Sequence, residues 1–148
     1  MSRSHFLTPA LVAPGHWGLR IDRSGEWLAT RAELAGSSES RRQGLLGRDE
    51  LPPGHALVIA PTQGVHTFGM RFPIDAVGLS RDGIVVSIKE AVPRRRVVLS
   101  WRAFAIVELA EGAAAKAELR IGDKVAAVSG PDSAVLGHLS GSRQLFGS

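Results

Sequence analysis

A chain of 148 residues with 44% hydrophobic and 22% charged residues and no cysteine has the composition of one globular domain. It excludes disulfides, thiolate metal sites and cysteine nucleophiles, and also disordered, collagenous and coiled-coil classes. The net charge of +4, from 15 Arg and 3 Lys against 14 acids, is a smaller excess than nucleic-acid binders carry. No apolar run approaches the ~20 residues that span a bilayer. The stretch from Phe6 to Ala13 is too short and too broken by proline for a signal peptide. A soluble, cytoplasmic protein without membrane attachment is therefore expected. Its divisions are residues 1–15 as an N-terminal extension, 16–129 as a single β domain and 130–148 as a loosely ordered tail.

Apolar residues alternate at Trp17, Leu19 and Ile21, and Leu28, Thr30, Ala32 and Leu34 resume the two-residue period after Asp22-Arg23-Ser24-Gly25, which predicts a hairpin. Gly36-Ser37-Ser38 ends this pattern. Ser37 or Ser38 can cap a helix with Glu39 in its first turn, predicted to run from about Ser38 to Leu46, where glycines permit a stop and two leucines plug into the core. Short apolar strands follow, separated by Pro, Gly and Asp: His55–Ile59, Val65–Met70, Ile74–Ser80, Ile84–Val92, Val97–Leu99, Ala103–Ala110 and Lys124–Val128. Arg81-Asp82-Gly83 predicts a hairpin through a type I′ turn. The alanine-rich run from Gly112 to Leu119 predicts a second short helix. The expected fold is mainly β, a compact β barrel or sandwich with two short helices.

Five separated motifs then agree in order: Arg42-Gln43-Gly44-Leu45-Leu46-Gly47-Arg48, His66-Thr67-Phe68-Gly69-Met70-Arg71-Phe72-Pro73-Ile74-Asp75, Asp82-Gly83, Glu108-Leu109-Ala110-Glu111-Gly112 and Gly122-Asp123. Together they resemble the bacterial and archaeal family called domain of unknown function 192, over roughly Leu28 to Val128. Many relatives carry Trp-Met-Lys-Asn-Thr in the central motif, where this chain has the shorter Gly-Met-Arg-Phe-Pro-Ile-Asp. The resemblance implies a compact, mainly β fold with short helices. It implies no activity and no cofactor.

Glu108 lies in the apolar run Phe104-Ala105-Ile106-Val107-Glu108-Leu109, on the side of Phe104 and Ile106. A carboxylate there must find donors or raise its pKa. It is either a structural group bonded to backbone N–H groups or to an arginine such as Arg48, or part of a functional site. His66 and Asp75 could pair across adjacent strands as an oriented imidazole, but Thr67 points away from His66 and no nucleophile elbow is present. A metal site of His66, Asp75 and Glu108 has suitable ligand types without a supporting spacing. Met70 and Arg71, with Phe72 and Pro73, suit a pocket rim or an edge strand. Arg94-Arg95-Arg96 could meet phosphates or be a solvated loop, and with little aromatic interleaving nucleic acid is disfavoured as a partner. The leading expectation is a non-enzymatic binding module for a small molecule or peptide, lined by Arg48, His66, Thr67, Met70, Arg71, Asp75 and Glu108. The alternatives are a hydrolase-like enzyme using His66, Asp75 and Glu108 in one cleft, and a surface binder of phosphate or nucleic acid through Arg94–Arg96.

Overall fold

A computed structural model describes residues 4–9 and 15–131. The chain order is β1 (Trp17–Ile21), β2 (Trp27–Ala29), β3 (Arg31–Ala35), α1 (Ser38–Gln43), β4 (His55–Ile59), β5 (Gly64–His66), β6 (Ile74–Leu79), β7 (Val85–Val92), β8 (Val97–Leu99), β9 (Ala105–Ala110), α2 (Ala113–Lys116) and β10 (Val125–Ser129). Among the described residues three sheets form, with strand orders β10-β1-β2, β3-β4-β9-β6-β7 and β5-β8, and they do not close into a barrel. All pairings are antiparallel except β3 with β4.

The central strands of the five-stranded sheet are apolar at successive positions because both faces are covered. On one face Val58, Val77, Val107 and Leu109 pack against Leu19 and Ile21 of β1 and Val125 and Ala127 of β10. Leu7 joins this cluster at 1% exposure, and the Phe6 amide donates to the Arg81 carbonyl at 2.9 Å, so the part of the expected N-terminal extension that is described is built into the fold. The other face carries Leu57, Ile59, Ile74, Ala76 and Ile106 under Leu45, Leu51, Met70, Val98 and Ala103. Each fully buried aliphatic side chain contributes roughly 1.5–3 kcal/mol. The expected tail at 130–148 lies almost wholly outside the described residues.

Several boundaries differ from those the sequence predicts. The apolar alternation after the first turn is not one strand: β2 pairs with β1, whereas β3 pairs with β4 in the other sheet. The switch occurs at Thr30, where the amides of Thr30 and Arg31 both donate to the Gly54 carbonyl, at 2.8 and 3.0 Å. The first helix stops at Gln43 rather than Leu46, because Gly44 takes a positive φ of 49°. The predicted strand Val65–Met70 ends at His66, since the Met70 amide turns back to the Thr67 carbonyl and Gly69 adopts φ 81°. The second helix shortens to Ala113–Lys116. In the turn from Ser80 to Ile84, between β6 and β7, only Gly83 has positive φ. The Gly83 amide donates to the Ser80 carbonyl and the Ser80 amide to the Ile84 carbonyl, which makes a three-residue loop with glycine in the left-handed position instead of a type I′ turn.

Candidate functional site

The site is built on β9, the middle strand of the five-stranded sheet. Glu108 faces the second core cluster, with Leu57 of β4 and Ala76 of β6 as its cross-strand neighbours. It is only 2% exposed, and its Oε2 has no hydrogen-bond partner among the described residues. Burial pushes the carboxyl pKa up to about 7, against a smaller opposing pull from the Arg48 guanidinium.

Above this carboxyl group opens a cleft of about 530 Å³, within the usual range for small-molecule sites. Its rim is α1. The Ser37 hydroxyl accepts from the Ser40 amide while the Ser40 hydroxyl accepts from the Ser37 amide, both at 3.0 Å, so the helix begins with reciprocal capping. None of its residues is buried, and Arg41 and Arg42 in its last turn line the cleft. The chain then turns through Gly44, whose amide donates to the Ser40 carbonyl at 3.0 Å. A Cβ at Gly44 would stand 3.8 Å from Ile59 Cδ1 and 4.0 Å from Glu108 Oε2, which places the glycine backbone beside the carboxyl group. Leu45, Leu46, Ile59, Val65 and Met70 supply apolar walls, and His66 completes the opposite side.

The structure thus brings His66, Met70 and Glu108 together and separates the other expected site residues from them. Asp75 belongs to the other face of the sheet: it stands opposite Leu109, while Ala76 stands opposite Glu108. Its carboxylate accepts from the Ala91 amide at 2.9 Å and the Ala114 amide at 3.0 Å, and so anchors α2 and a bend in β7. Both oxygens are therefore engaged away from His66. The expected His66–Asp75 pair does not form, and His66, Asp75 and Glu108 do not share one cleft. Thr67 is fully buried; its hydroxyl donates to the Pro93 carbonyl at 2.7 Å and accepts from the Arg96 amide at 2.8 Å. Arg48 pairs with Glu33 at 2.8 Å instead of bonding to Glu108, and Arg71 pairs with Asp49. The run Arg94–Arg96 forms the exposed connection between β7 and β8, held by Thr67.

Two further motifs are architectural. Asp123 accepts from Arg23 Nε at 2.8 Å and from the Arg120 amide at 2.9 Å, and the bond from Arg23 holds its carboxyl below the usual carboxylate range. Gly112 takes φ 88° at the entry to α2. The sequence reading missed the α1 rim, Ser38, Arg41, Arg42 and Gln43. The available signal is the motif Arg42–Arg48, which the sequence reads as a helix stop, a core plug and a family motif, with Arg48 alone as a site residue.

A family profile described as an uncharacterized ACR, domain of unknown function 192, matches residues 19–127. The chain belongs to this family. No curated protein matches it. Among solved structures, a protein of unknown function from Novosphingobium aromaticivorans superimposes with a TM-score of 0.66 at 22% identity, over 73% of this chain and 82% of that one. A Sinorhizobium meliloti protein described as a proposed transcription regulator gives 0.69 at 19% identity, over 86% and 98%. At such identities these likenesses show that the domain of unknown function 192 chain shares their fold. Among the described residues no helix is long and apolar enough to cross a membrane.

Proposed function

We propose that this protein binds a small molecule in the cleft between α1 and β5, with Glu108 as the group that recognises it. One observation carries the reading: the unpartnered Oε2 of Glu108 at the base of an open cleft. A buried polar atom left without a partner costs about 1–3 kcal/mol, and Asp75 in the same sheet shows the alternative, a buried carboxylate with two amide donors. A buried carboxyl oxygen without a donor is available to a ligand donor. The separation of Asp75 from His66 and Glu108 favours binding over the hydrolase-like alternative, which needs an oriented base and a reacting position in one place.

Amide chemical shifts of the protein during titration with a library of small amines, alcohols, amides and acids test this reading. Shifts are expected to gather at Gly44, Leu46, Val65 and His66. Hits that gather only elsewhere, for instance on the surface formed by Gly69, Arg71 and Arg94, would overturn it.

A further inference from the structure

We propose that the cleft takes a zwitterion with an apolar spacer, its ammonium end on Glu108 and its carboxylate end on Arg41 and Arg42. The proposal rests on the cleft being a ligand site and adds the polarity of what enters it. Three layers of the cleft carry it. At the base is an acceptor, Glu108 Oε2, almost fully buried and unpartnered. A carboxylate in that position is costly unless its charge as well as its lone pair is met, so a cationic N–H donor suits it better than a neutral one.

The middle layer is Leu45, Leu46, Ile59, Val65 and Met70. Apart from the weak Met70 thioether these side chains offer no polar partners, and the near-complete burial of Glu108 strengthens a charge pairing at the base. They match a hydrocarbon segment and not a second polar group. The mouth is cationic. Among the described residues Arg41 and Arg42 donate hydrogen bonds only within their own helix and to the residue before its cap: Arg41 Nη1 to the Gly36 carbonyl at 2.6 Å, Arg41 Nη2 to the Ser38 hydroxyl at 3.4 Å and Arg42 Nε to the Ser38 carbonyl at 3.3 Å. Neither forms an ion pair among the described residues. Glu39, the acid of that helix, is not part of the cleft lining. Guanidinium groups held in this way keep donors for a carboxylate. The base and the mouth thus have opposite charge preferences, separated by apolar wall.

The test uses γ-aminobutyrate, δ-aminovalerate and ε-aminocaproate as probes of graded length, with n-hexylamine, hexanoate and hexanamide as controls carrying one end or none. Binding is followed by calorimetry and by the amide shifts of Gly44, Val65 and His66. One of the amino acids is expected to bind at least ~10-fold tighter than hexylamine or hexanoate, the worth of one charge-assisted hydrogen bond. Arg41→Ala with Arg42→Ala, on an exposed helix where folding is not at stake, should remove that advantage and leave hexylamine binding unchanged. Glu108→Gln should remove both. If hexanoate or hexanamide binds as tightly as the best amino acid, the zwitterion is wrong and the cleft remains a ligand site. If none of the probes shifts those amides while the fragment library does, the ligand class again fails alone; if neither does, both proposals fall.

Discussion

Glu108 and Asp75 are both buried carboxyl groups in one sheet, on strands three apart in chain order and adjacent in space, yet they face opposite covers and carry opposite energetics. Asp75 is matched by two backbone donors. Glu108 is raised to about 7 from an ordinary 4.5 by burial, despite the pull of Arg48. A carboxyl group whose folded pKa lies above its unfolded value contributes stability that is complete below the unfolded pKa and is lost as pH rises through the folded one. Glu108 therefore contributes fully below about 4.5, and between there and about 7 its contribution falls away. The loss amounts to roughly 3 kcal/mol at ~1.4 kcal/mol per pH unit. Arg41, Arg42, Arg48 and His66 surround the same cleft or act on it, so the informative quantity is the difference between wild type and Glu108→Gln. Urea unfolding should show the variant more stable than wild type at pH 8, by up to about 3 kcal/mol, and equal to it near pH 4.5. A variant that is less stable at pH 8 would mean that the carboxylate has donors and is structural. The oddity of a charge among Phe104, Ile106 and Leu109 was legible in the sequence; the absence of a partner was not, because Arg48 is committed to Glu33 only once the chain has folded.

Among elements, the central strands were legible and the places where the chain changes direction were not. His55–Ile59 and Val97–Leu99 form as their residue types predict. Leu28, Ala32 and Leu34 keep facing the same core cluster across the break at Thr30, so the two-residue period runs on while the pairing partner changes. Periodicity reports which side a residue faces and carries no information about its neighbour strand. At the end of α1, by contrast, the glycine signal was sound: Gly44 leaves the helix with φ 49° and ψ −127°. The cost of a side chain there lies in the backbone, since the nearest atoms to a Cβ are at 3.8 Å or beyond. Gly44→Val should lower stability by about 1–3 kcal/mol, the cost of a sparsely populated conformation for a β-branched residue. It should also crowd the base of the cleft beside Glu108 and weaken binding of any probe found there. An unchanged melting temperature would show that the helix end can be rebuilt without strain.

At the scale of the molecule, the two faces of the five-stranded sheet have covers of unequal strength. One is the three-stranded sheet, closed by regular pairing of β1 with β10 over five residues, with Leu19, Ile21, Val125 and Ala127 driven into the core. The other is assembled from a six-residue helix with no buried residue, the turn carrying Leu45, and the short β5–β8 ribbon with three paired positions. The cleft lies in this thinner cover, where few buried contacts oppose local opening. Native-state hydrogen exchange should therefore rank the amides of β9, β6, β1 and β10 near the global unfolding free energy, commonly ~5–15 kcal/mol for a domain. Gly44 and Leu46, bonded to the Ser40 and Gln43 carbonyls, should exchange through openings well below that value. A ligand bound between α1 and β5 would slow exchange at Gly44 and Leu46 by mass action while leaving β1 and β10 nearly unchanged, because it stabilises only the closed form of that cover. If Gly44 and Leu46 exchange as slowly as β9, the cover opens only when the whole protein unfolds, and entry to Glu108 must then occur through the cleft mouth with α1 in place.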